Sequence, residues 1–74
     1  MRIIYTHHAR KRMIQRKVTS EQVEETLELP DNILLGDAGE EIAIKQFGTH
    51  EVRVIYQEDE DSKVVFTVIR KRTH

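Results

Sequence analysis

Arg2 to Tyr5 alternates weakly and is rich in residues that favour extended backbone, so the chain opens on a strand. Thr6 then fits a helix N-cap, since its hydroxyl can take a free amide of the first turn. His7 to Arg16 holds neither Gly nor Pro and predicts a helix. Ala9 and Met13, four apart, form its apolar stripe, and Val18 stands just beyond its end. Lys17 suits the close of that helix, because a cation is favoured at the negative end of the dipole. Thr19 with Gln22 three residues on is a capping box, and Val18 and Val23 flank it as a hydrophobic staple. The second helix runs from Ser20 to about Glu28. Val23 and Leu27 face the core, while Glu21, Glu24, Glu25 and Glu28 face water. Pro30 stops it and pushes Leu29 towards an extended conformation.

After Pro30 the period changes from helical to two. Asn32 to Leu35 predicts a short strand closed by the turn Gly36-Asp37-Ala38-Gly39. Glu41 to Phe47 alternates Ile42, Ile44 and Gln46 against Ala43, Lys45 and Phe47. A tight turn at Gly48-Thr49 leads to Glu51–Gln57, where Val52, Val54 and Tyr56 alternate with Arg53 and Ile55. Glu58 to Ser62 is a turn too charged to be buried. Lys63 to Arg70 is apolar on both faces and therefore central. Short turns between successive strands imply an antiparallel meander. The expected fold class is α+β in one domain spanning residues 1–74: strand, helix, helix, then a three- or four-stranded antiparallel sheet. The helices cover one sheet face, because neither buries its apolar stripe alone.

Size limits the core. A 74-residue chain buries only roughly 60% of the surface that its unfolded form exposes. It contains no cysteine, which excludes disulfides and thiolate metal sites and points to the reducing cytoplasm. No apolar run approaches the roughly 18 residues that span a bilayer, so no membrane role is expected. Met1 to Tyr5 lacks the apolar stretch of a signal peptide.

Charge changes the picture more than size does. The net charge is −1, unlike a general nucleic-acid coat, but the charges are segregated. Met1 to Val18 carries six Lys or Arg and no acid, whereas Thr19 to Ile42 carries eight Asp or Glu and no Lys or Arg. The chain ends basic, with Arg70-Lys71-Arg72. A local positive cleft forms if the two basic regions meet in space.

The candidate chemistry lies in that first basic stretch. His8, Arg12 and Arg16 are spaced by four and share one row of the helix. Such a row repels itself unless something offsets it. The offset is either acidic neighbours, such as the glutamates of the second helix, or a bound anion such as phosphate. The planar fork of arginine suits phosphate, and histidine is the side chain best able to move a proton near neutral pH. The bland alternative is a solvated helix face with one or two salt bridges. His7 points about 100° away from His8 on an ideal helix and is a weaker candidate. Thr67 is either filler in an apolar strand or a hydroxyl that orients a phosphate or the His8 ring. Arg53, Arg70 and Lys71 are candidate substrate contacts, with solvated surface and a frayed terminus as the alternatives. Tyr56 reads as core or rim. The four histidines give no metal spacing: His7 and His8 are adjacent, and His50 and His74 stand alone. No metal or other cofactor is expected. There is also no Gly-rich phosphate loop, no nucleophile elbow and no pair of carboxylates in a plausible cleft.

His8-Ala9-x-x-Arg12-Met13-x-x-Arg16-x-Val18-Thr19, then Val23 and Leu27 to Pro30, then Val64-Val65-Phe66-Thr67-Val68, resembles the domain-of-unknown-function family 4258. The resemblance covers nearly the whole chain. That family is similar in architecture to the RelE, barnase and colicin-type ribonuclease toxins. The resemblance implies a metal-independent endoribonuclease, with His8, Arg12, Arg16 and Thr67 at the matched polar positions. It also implies an acidic antitoxin protein as partner. RNA binding then requires the acidic second helix and the Glu58–Asp61 turn to face away from the cleft. The other readings are a non-catalytic module that binds RNA or an acidic protein, and self-association as a homodimer through a sheet edge or face.

Overall fold

A computed structural model describes residues 2–73, so His74, weighed above as a metal ligand, lies outside the described residues. The elements follow the order β1 (Arg2–Tyr5), α1 (His7–Arg16), α2 (Ser20–Glu28), β2 (Asn32–Leu35), β3 (Glu41–Phe47), β4 (His50–Glu58) and β5 (Ser62–Arg72).

Local chemistry sets the helix ends. The Thr6 hydroxyl accepts from Ala9 N–H at 3.0 Å and starts α1. Lys17 ends it in the left-handed region, at φ 55°, and Val18 N–H then reaches back to Met13 O at 2.9 Å. The Thr19–Gln22 capping box is present in both directions, with each bond at 3.1 Å. Ala9, Val18, Val23 and Leu27 are buried and Met13 packs against them, as the helical spacing requires.

The sheet corrects the expected strand count and its purely antiparallel character. Five strands form one mixed sheet in the order β1-β5-β4-β3-β2. β2 to β5 make the antiparallel meander, and β1 adds to the far side of β5 in parallel, pairing Arg2–Tyr5 with Ser62–Val65. Turn reasoning sees only strands that are neighbours in sequence, whereas the β1–β5 pair joins opposite ends of the chain. The strand pairs beyond the expected limits also lengthen β4 and β5. His50 pairs with Arg72 and Glu51 with Lys71, so the basic C-terminal stretch is sheet and not a frayed tail.

Both helices cover one face of the sheet. α1 packs on β5, and α2 on β4 and β3. Ala43, Val52, Val54, Tyr56, Val65 and Val68 are buried beneath them. In β5 the buried positions are three apart, not two, because of an irregularity opposite Ile55/Tyr56. There Thr67 pairs with Ile55 and Val65 with Tyr56, leaving Phe66 as an extra residue. The β3–β4 turn has Gly48 at φ 60°, a conformation that favours glycine in a two-residue hairpin.

Candidate functional site

β1 pairs with β5 only as far as Val65. Beyond that point α1 runs along the strand and side chains finish the edge. Thr6 N–H donates to Val65 O at 3.1 Å, and the Thr6 hydroxyl donates to Phe66 O at 3.2 Å. Arg16 Nη1 donates to Val68 O at 2.6 Å. The predicted row therefore lies beside the part of β5 that β1 leaves bare.

Within the row, Arg12 Nε lies 3.4 Å from His8 Nε2, and Arg12 Nη1 donates to Gln15 Oε1 at 2.6 Å. The Arg12 contact is long, and it places the proton of a neutral His8 ring on Nδ1. His8 is exposed, while Arg12 and Arg16 are half-buried. Each guanidinium thus touches neutral acceptors: an imidazole nitrogen, an amide oxygen and a backbone carbonyl. The ion pairs of the described residues lie elsewhere, between Lys45 and Glu25, Lys45 and Asp31, and Arg53 and Glu51. Of the two offsets considered for the row, the glutamates of α2 do not supply one. Glu25 faces Lys45 on β3 instead.

The other predicted positions separate. Thr67 pairs with Ile55, out of phase with buried Val54 and Val68, and so stands on the sheet face away from the helices. Arg53 and Lys71 share that outer face, through the pairs Arg53–Ile69 and Glu51–Lys71. Arg53 donates to Glu51 at 2.6 Å, leaving little net charge there. Arg70 pairs with buried Val52 on the helix side, and its Nη2 lies 3.3 Å from His50 Nδ1. The structure brings His8, Arg12 and Arg16 together along one strand edge, with Thr67 and Lys71 on the other flank of the same strand. Arg53 lies one strand further in.

An acidic turn and a basic stretch lie at opposite ends of β5. The Glu58–Asp61 turn sits at the Arg2 end of β5, where Arg2 N–H donates to Asp61 O at 3.3 Å. Arg70 to Arg72 end the same strand at the opposite end of the sheet.

Two features had no clear sequence signal. Gln15, which holds Arg12, sits three residues along the helix, but glutamine on an exposed face is unremarkable in a sequence. Tyr5 has Arg10 over its ring, 5.6 Å from the centroid. With Met13, Ile14 and Val18 the two line an apolar recess. Burial, then the Glu24 charge, push the Tyr5 phenol above its usual value, with Arg10 opposing. Tyr56, a buried core residue, is raised by burial first and then by Glu41 and Glu58. Both phenols stay neutral near neutral pH, so neither supplies a charge to the site.

The family model described as Domain of unknown function (DUF4258) matches residues 5–70. No curated protein matches the chain, and no solved structure does. Among the described residues no helix is long and apolar enough to cross a membrane.

Proposed function

The chain belongs to the DUF4258 family, and from that premise we propose that it is a metal-independent RNA-cleaving domain whose working surface is the α1 row. One observation carries this reading: the Arg12 guanidinium stands beside the His8 imidazole with neutral acceptors as its partners. A phosphate competes well for such a guanidinium, because it brings an opposite charge and accepts two parallel N–H bonds from the planar fork. His8 takes the proton of a ribose 2′-hydroxyl through Nε2, once Arg12 has turned to the phosphate. The 2′-oxygen attacks phosphorus, the bond to the 5′-oxygen breaks, and His8 returns the proton to that leaving oxygen. The products are a 2′,3′-cyclic phosphate and a 5′-hydroxyl. Arg12 meets the charge that builds on the phosphoryl oxygens. Arg16 is committed to Val68 O and fixes the helix against the strand. Thr67 and Lys71 meet the RNA where it passes over the β5 edge.

The likeness to RelE, barnase and colicin-type toxins is part of this proposal, and it is an analogy of fold. What supports it is the order of two helices followed by an antiparallel meander. In this reading the partner is a small acidic antitoxin that covers the row, and the pair works in the cytoplasm. The test is cleavage of single-stranded RNA in EDTA. His8→Ala and Arg12→Ala are each expected to slow it by about 10²-fold or more, the usual contribution of such proton transfer and charge stabilisation. Equal rates in wild type and variants would remove the row from the chemistry.

A second reading, RNA binding without cleavage, is favoured by the exposure of His8 and by Thr67 standing on the other flank of the strand. In that case His8→Ala leaves binding unchanged. Arg12→Ala weakens it and lowers the salt dependence by about 0.7 in log–log slope, the value for one lost phosphate contact to a single strand.

A further inference from the structure

β2 forms the other edge of the sheet, and it carries Asn32, Ile33, Leu34 and Leu35 with no charged side chain. All four are exposed, and Leu35 is 80% exposed. The ladder fixes which backbone groups face outward. Gly36 N–H donates to Glu40 O at 2.7 Å, and Ile44 O accepts from Asp31 N–H at 2.8 Å. By the alternation of antiparallel pairing, Asn32 and Leu34 turn their backbone groups to β3. Ile33 and Leu35 then turn theirs outward. Ile33 N–H is met there by the neighbouring Asn32 Oδ1 at 2.9 Å, a local substitute for a strand partner.

We propose that β2 pairs antiparallel with β2 of a second copy of this chain, about a two-fold axis at Leu34. The argument for a second copy is self-complementarity. In that register Leu34 faces its own copy on the outer sheet face. Ile33 faces Leu35 of the second copy on the helix face, and Leu35 faces Ile33, so each apolar side chain of the strand meets an apolar one. The outward groups of Ile33 and Leu35 exchange hydrogen bonds in two reciprocal pairs, and Leu34 forms the non-hydrogen-bonded pair between them. With no charge in the strand, like charges do not oppose each other. The same operation at the β5 edge would set the basic α1 row against its own copy. Leu29, also exposed, adds apolar surface at the start of the strand. A four-residue pairing lies at the low end of specific interfaces, below roughly 1,200 Å² in total, so the dimer is weak and reversible. It joins two five-stranded sheets into one and leaves both α1 rows at the outer ends.

Sedimentation equilibrium of the full chain tests this, with wild type expected to pass from monomer to dimer as concentration rises. Leu35→Lys places a charge on an 80% exposed position and is expected to raise the dissociation constant at least about tenfold, equivalent to about 1.4 kcal/mol. The register is tested separately by Leu34→Cys in a chain that has no other cysteine. A non-hydrogen-bonded pair sets Cα atoms roughly 4.5 Å apart, within disulfide range. Oxidation is therefore expected to give a covalent dimer much faster for Leu34→Cys than for Leu29→Cys, at an exposed site outside the strand. A monomer at all concentrations, or equal cross-linking at the two positions, would overturn the proposal. Both readouts are independent of RNA cleavage.

Discussion

Where β1 stops short of the end of β5, Thr6 and Arg16 take the carbonyls of Phe66 and Val68, whereas along β2 the outward amide of Ile33 is met by the adjacent Asn32. One edge is closed by a helix laid along it, with polar atoms matched to polar atoms across 52 to 60 residues of sequence. The other presents apolar side chains and is closed by one short-range contact. An open, apolar strand edge is a template for another strand, and proteins usually blunt such edges with charge, proline or cover. The first edge shows that treatment and the second does not. The difference teaches where this fold tolerates a neighbour: at β2, away from the cationic row.

The largest expected effect comes from undoing the closed edge. Arg16→Ala leaves Val68 O without its charged donor and should lower stability by about 1.5–3 kcal/mol. Thermal unfolding followed by circular dichroism reads this as a fall in Tm, at about 4–8 °C per kcal/mol for a domain of this size. No change in Tm would mean that the clamp contributes nothing to the edge. Thr6→Val keeps the shape but loses both the cap on α1 and the bond to Phe66 O. About 1–2 kcal/mol is expected from urea titration. Leu35→Lys should move monomer stability by less than about 0.5 kcal/mol, as for other surface changes, while it weakens self-association at least about tenfold. A large loss of stability there would show that β2 is held by its own side chains and is no free edge. Together the three variants separate an edge that supports the fold from one that supports assembly.

Much of the fold was legible because its signals are local. The Thr6 cap, the Thr19–Gln22 box, the Val18 staple and the alternation of Val52, Val54 and Tyr56 each lie within a few residues of sequence. The row on α1 was legible for the same reason. Its surroundings were not. Parallel docking of β1 on β5 depends on contacts across most of the chain. The extra residue at Phe66 reverses the phase of β5, so Val65 and Val68 are both buried and Thr67 turns outward. Strict alternation would have put Thr67 on the same face as Val65. Arg16 carries the same ambiguity: spacing placed it with His8 and Arg12, but only the fold shows its guanidinium on a backbone carbonyl.

The parallel pair of β1 and β5 also orders events in time. The first strand of the sheet finds its partner only when the last one exists, and contacts of such long sequence separation form slowly. While the chain is being made, β2 to β4 can already zip together, but β1 and α1 wait. The α1 row has no strand to lie against until β5 is in place. A growing chain therefore carries its basic helix unassembled, and its candidate site comes into being only once β5 has been made.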